Sequence, residues 1–190
     1  MKQFFLLVSL FFTHSICAQQ STSLVEYNVT FTEKTLVVWT VVYSGGVQGG
    51  SVLSLCRPNK NYDFDAIVYG ERKPNVWMAG SGWFNRTQDF NTTGIEQTPG
   101  KLVKIAISYG LENNKAKVTI YRNDKIIGSY TKGSMLEWSN NTGVLFGLRH
   151  HLDGNNRPGK PWVNALIEEA RIYKGVLTAE QIKALTPEIN

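Results

Sequence analysis

The segment Lys101-Leu102-Val103-Lys104-Ile105-Ala106-Ile107-Ser108-Tyr109 alternates strictly. Val103, Ile105, Ile107 and Tyr109 fall on one face, and Lys104, Ala106 and Ser108 on the other. A period of two is that of an extended strand, whose successive side chains point to opposite sides. Just downstream, Asn113-Asn114 marks a turn, and Lys117-Val118-Thr119-Ile120-Tyr121-Arg122 reads as the next strand. Asn123-Asp124 then stands where a two-residue hairpin needs residues tolerant of positive φ. Lys125 to Tyr130 completes that hairpin.

Further out the pattern repeats. Thr35 to Tyr43 is β-branched and aromatic on both parities, which predicts a central strand covered on both sides. Gly45-Gly46 and Gly49-Gly50 flank a turn before a strand from Ser51 to Cys56. Val144 to His150 and Ala165 to Tyr173 are two more strands, separated by a Gly/Pro/Asn-rich loop from Asp153 to Pro161. One helix is expected: Thr178-Ala179-Glu180-Gln181 is a capping box, Ile182, Ala184 and Leu185 follow, and Pro187 ends it. Short strands with turn signals between them predict an all-β sandwich of two antiparallel sheets with one short C-terminal helix.

The 190 residues are 42% apolar, 12% aromatic and 18% charged. That suits one domain with its own core and excludes a disordered tail, a coiled coil or a collagen-like rod. Lys2 precedes the apolar run from Phe4 to Phe12, and Thr13-His14-Ser15 follows, the order of a secretory signal peptide ending after Ala18. Residues 1–18 are therefore read as a signal peptide and 19–190 as a single domain. The run is too short for a membrane anchor, so the expected location is secreted, periplasmic or at the cell surface. Losing Lys2 takes the formal charge from +5 to +4 and leaves Cys56 as the sole thiol, so no internal disulfide is expected. Its apolar neighbours make Cys56 a buried small hydrophobe. The basic residues are scattered among apolar positions, as on solvated strand faces, which argues against nucleic acid.

No reaction is written in the chain. His150 and His151 are neighbours and would face apart on a strand, so they do not form a zinc pair. Glu168 and Glu169 likewise project to opposite faces, with Arg171 placed to pair with Glu169. There is no Gly-x-Ser-x-Gly elbow and no Gly-rich phosphate loop. No catalytic residue is assigned. The loops do carry aromatic and polar groups of the kind that bind sugars, whose C–H faces stack on rings while Asn, Asp and Arg satisfy the hydroxyls. The expected ligand contacts are Trp77, Trp83, Asn85, Arg86, Arg149, His151, Asn156 and Arg157. Core packing is the competing role for Trp39, Trp77 and Trp162. Trp83, between Gly82 and Phe84, is the best exposed candidate.

Ile167-Glu168-Glu169-Ala170-Arg171-Ile172-Tyr173, followed by Gly175-Val176-Leu177-Thr178-Ala179-Glu180-Gln181-Ile182, is similar to a final "IDEVRIY" strand and an "ALS-x-EEI" ending. Val118 to Gly128 resembles the "lYvNGklvgs" hairpin of the same family. By these motifs the chain resembles the LamG-like jelly roll of the concanavalin A-like lectin/glucanase superfamily, over about residues 30–186. Glu168 stands where that family usually has Asp, and Asp124 replaces its hairpin Gly. The resemblance implies a jelly-roll sandwich with function confined to the rim. Glucanases of this superfamily carry Glu-x-Asp-x-x-Glu, and no segment here fits it. Calcium is a rim ligand in many relatives, and Asp63, Asp65, Asp153 and Asn155 are the residues here that could supply oxygens. The leading expectation is a non-catalytic module whose partner is a polysaccharide or other glycan. The alternatives are a protein-interaction or adhesion module of the cell envelope, and a hydrolase or lyase using Glu71, His150 or Glu169.

Overall fold

A computed structural model describes residues 10–11, 22–24, 30–57, 62–90, 93–139, 142–151 and 162–188. In chain order the strands are β1 (Leu10–Phe11), β2 (Thr22–Leu24), β3 (Lys34–Val42), β4 (Ser51–Cys56), β5 (Phe64–Tyr69) and β6 (Trp77–Ser81). After a 3-10 turn at Gly82–Phe84 come β7 (Leu102–Glu112), β8 (Lys115–Arg122), β9 (Lys125–Thr131), β10 (Gly143–Leu145) and β11 (Ala165–Lys174), then helix α1 (Ala179–Ala184). One sheet has the order β1-β11-β3-β7-β8-β9 and the other β2-β10-β4-β5-β6, with antiparallel neighbours throughout. This is the expected all-β sandwich, consistent with a jelly roll. The expected signal peptide lies outside the described residues except for the two of β1.

The core follows from the alternation. Leu36 and Val38 of β3, Ile105, Ile107 and Tyr109 of β7, and Val118 and Ile120 of β8 point inward from the first sheet. Leu53 and Leu55 of β4, Ile67 and Tyr69 of β5, and Trp77 and Ala79 of β6 meet them from the second. The β7–β8 turn uses Asn113 and Asn114 at φ 51° and 60°, the positive values that a tight hairpin matching the strand twist demands. Asn123 at φ 52° serves the next hairpin.

As expected, β3 is covered on both faces. Its outward residues Val37 and Trp39 join Ala106, Tyr121 and Tyr173 under Leu177 and Ile182 of the C-terminal segment. Thr178 caps α1, accepting from the Gln181 backbone N–H while the Gln181 side chain accepts from the Thr178 N–H. Lys104 departs from the expected solvated face: it is buried, and its Nζ donates to the carbonyls of Ile182 at 2.6 Å and Leu185 at 2.8 Å. The last carbonyls of a helix have no partner within it, and a lysine there satisfies them and complements the negative end of the helix dipole.

A second departure concerns Val144 to His150. The strand stops at Leu145 because Gly147, at φ 85°, turns the chain. Residues 148–149 are instead held over β4 by hydroxyls: Ser51 Oγ donates to the Leu148 carbonyl at 2.7 Å and Ser54 Oγ to the Arg149 carbonyl at 2.6 Å. The outer face of the second sheet carries its own apolar cluster of Cys56, Phe64, Ala66, Val68 and Met78, flanked by Tyr62, Leu148 and Trp162.

Candidate functional site

The chain leaves β6 through a turn with an unusual backbone. Gly82 passes so close to the Tyr62 carbonyl oxygen that any Cβ would overlap it. Trp83 and Phe84 then both adopt φ 54°, a left-handed conformation that costs a side-chain-bearing residue on the order of 1–2 kcal/mol. Such strain persists only where the surroundings over-determine it, and here they do. The Arg86 backbone N–H donates to Ser81 Oγ at 2.8 Å, Tyr130 Oη donates to the Arg86 carbonyl at 2.7 Å, and Asn85 Oδ1 accepts from the Ser134 N–H at 3.1 Å. The result is two aromatic side chains turned outward, Trp83 at 72% exposure and Phe84 at 46%. The Arg72 guanidinium stands 5.3 Å from the Phe84 ring and pairs with Asp89 at 3.0 Å.

Beneath the turn lies a buried charge cluster. The alternation of β5 aims Asp65 inward beside Ile67, where one carboxylate oxygen accepts from Arg86 Nε at 2.7 Å and the other stands 2.7 Å from Lys34 Nζ. Arg86 also donates through Nη1 to the Ser134 carbonyl at 2.9 Å. Lys34 sits over the Tyr109 ring, 4.2 Å from its centroid. Burial pushes the Lys34 ammonium below its ordinary pKa, and the neighbouring Asp65 opposes that shift. For Arg86 burial works in the same direction, but the Asp65 charge outweighs it and the pKa lies above the ordinary value.

These contacts correct several sequence expectations. Arg86 is a structural residue, buried and saturated by protein partners, so it is closed to a ligand. Trp77 is fully buried in the core, with its Nε1 donating to Glu96 at 2.7 Å. Asp65 does not fit a calcium site, because both its oxygens face cations and it has no exposure. Asp63 pairs with Arg57 at 3.2 Å on the neighbouring loop. Asp153, Asn155, Asn156 and Arg157 lie outside the described residues. Arg149 is half-buried and pairs with Glu71. Trp83 stands out in solvent, and Asn85 is exposed next to it while bracing Ser134. Glu169 pairs with Arg171 as expected.

Sequence reasoning missed Tyr62. Its ring meets Trp83 edge-on at 6.0 Å and His150 at 4.9 Å, and His150 in turn lies 4.2 Å from His151. A file of rings thus runs from exposed Trp83 across the outer face of the second sheet. Nothing near Tyr62 in the chain announces this, because its neighbours in the file come from two other segments. The histidines do not face apart, since they lie in the bend after β10 and not on a strand.

A family model described as the concanavalin A-like lectin/glucanases superfamily matches residues 18–183. The chain belongs to that superfamily. Among solved structures, this superfamily domain is similar to domain 4 of an extracellular arabinanase from Geobacillus stearothermophilus, in complex with arabinotriose. That likeness has a TM-score of 0.57 at 18% identity and covers 82% of this chain and 66% of the other. It is also similar to the CBM40 of the Ruminococcus gnavus IT-sialidase bound to α2,3-sialyllactose, with TM-score 0.56 and 13% identity over 87% of this chain and 96% of the other. The leech intramolecular trans-sialidase matches with TM-score 0.54 at 15% identity over 84% of this chain, but this chain spans only 24% of that enzyme. At such identities the likeness is one of fold. A comparison with curated proteins finds no match.

Proposed function

We propose that this domain is a secreted, non-catalytic glycan-binding module whose contact surface is the Trp83–Phe84 turn, with Asn85 beside it. The observation that carries the reading is the exposure of two adjacent aromatic rings on a strained backbone that buried contacts hold in place. A rigid exposed ring presents a flat apolar face to a sugar with little ordering cost on binding, and an adjacent amide supplies hydroxyl recognition. The non-catalytic half of the reading is supported by the carboxylates themselves. Asp65, Glu71 and Glu169 each face a lysine or arginine of the protein itself, so their oxygens are engaged by internal ion pairs. Location outside the cell follows from the N-terminal leader read in the sequence. Among the described residues, no helix is long and apolar enough to cross a membrane.

The test is binding of a glycan panel that includes arabinotriose and α2,3-sialyllactose, run with calcium and with chelator, on the wild type and Trp83→Ala. Saturable binding that Trp83→Ala weakens about tenfold or more, with an unchanged melting temperature, supports the reading. Silence on every glycan, or binding indifferent to Trp83, overturns it. Capture of a stable envelope protein that no sugar displaces would assign the same aromatic turn to protein adhesion.

A further inference from the structure

The file of rings ends in a group that the glycan reading does not use. Cys56 closes β4, paired across the ladder with Gly143 of β10. The chain leaves β10, turns at Gly147, and is carried back over β4 by the Ser51 and Ser54 hydroxyls. That path sets His150 and His151 above the end of β4. One ligand atom from each of Cys56, His150 and His151 lies within 4.8 Å of the other two. Cys56 and His150 are buried and His151 is half-buried.

We propose that Cys56, His150 and His151 form a binding site for a thiophilic transition-metal ion, zinc in its simplest form. The donor set is the first argument. One thiolate and two imidazoles suit zinc or copper and disfavour calcium and magnesium, which take oxygen ligands. Spacing is the second. Around a tetrahedral zinc with Zn–S ~2.3 Å and Zn–N ~2.0 Å, donors stand ~3.3–3.6 Å apart, so three atoms within 4.8 Å need close by at most ~1.2–1.5 Å. The third is orientation. His150 Nε2 lies 3.2 Å from the Arg57 carbonyl, and in the tautomer where Nε2–H donates to that oxygen, Nδ1 holds the lone pair that a metal takes. Tyr62 packs against the same ring and holds its plane. On binding, the Cys56 thiol proton passes to solvent and the thiolate coordinates.

The probes are zinc and cobalt(II) added to chelator-treated full-length domain. Cobalt should bind at one equivalent with a thiolate charge-transfer band, zinc should displace it, and zinc should raise the melting temperature. Cys56→Ser should abolish the band, and His151→Ala should weaken zinc by about tenfold or more. If Cys56→Ser fails to fold, the half-exposed His151→Ala decides alone, with circular dichroism as the check on its fold. A missing charge-transfer band in the wild type, or zinc affinity unchanged in His151→Ala, overturns the site. Glycan binding reads out at Trp83, so failure of either proposal leaves the other standing.

Discussion

Asp65 accepts from Arg86 Nε at 2.7 Å inside the sandwich while its second oxygen stands 2.7 Å from Lys34 Nζ. One carboxylate thereby pairs with two buried basic side chains, one on β3 of the facing sheet and one three residues beyond Trp83. The exposed aromatic turn is in this sense anchored in the core.

Removing that carboxylate leaves two charges buried without compensation. Asp65→Ala should cost about 3–5 kcal/mol in urea denaturation. Lys34→Met should cost less, because Asp65 keeps Arg86 and the longest part of the side chain is replaced by apolar volume. Equal denaturation midpoints for the two variants would contradict this assignment.

Glu96 sets an acid limb of stability. Burial alone would raise its pKa, but hydrogen bonds from Arg122, Trp77 and Thr98 and the Arg122 charge bring it from 4.5 down to about 2. A depressed folded-state pKa contributes stability that is fully present above about 4.5 and is lost as pH falls toward 2. The loss across that window should be on the order of 2–3 kcal/mol. Glu96→Gln, followed by thermal melting from pH 6 to pH 2, should flatten that limb.

Lys104→Met should free the end of α1. It deletes the donor to the Leu185 carbonyl and leaves the Ile182 carbonyl with only the Leu185 N–H at 3.2 Å, at a cost of about 1–3 kcal/mol. Amide exchange in Ala179–Ala184 should accelerate well before exchange in β7 does. Uniform acceleration through both would show that the lysine supports the sheet and not the helix.

Gly128→Ala should strain the sandwich edge, because an added Cβ would overlap the Phe90 ring. Overpacking of this kind costs about 1–3 kcal/mol. Adding Phe90→Leu should recover part of the loss, so the double variant should melt above the additive expectation. Strict additivity would refute the contact.

Legibility in the chain followed range. The β7 alternation, the Asn113-Asn114 and Asn123-Asp124 hairpins and the Thr178–Gln181 capping box rest on residues within a few positions of one another, and each formed where expected. Asp65 was misread because Asp63-Phe64-Asp65 resembles a loop donor set until β5 is known to begin at Phe64. Its strand phase then turns Asp65 inward. Trp77 and Trp83 both stand among the expected ligand contacts, with Trp83 the better exposed candidate and core packing the competing role for Trp77. The strand phase of the one and the left-handed turn of the other then make Trp77 a core residue and Trp83 an exposed one.

Local chemistry in the chain was enough to specify a two-sheet sandwich, its hairpins, its short helix and the absence of a glucanase acid triad. The partners of Asp65, the cap on α1 by Lys104 and the meeting of Cys56 with His150 and His151 came from the assembled fold. Each of those contacts joins residues far apart in the chain. Their meeting depends on strand register and on which sheet face lies against which, quantities that the hydrophobic pattern of a single segment does not encode.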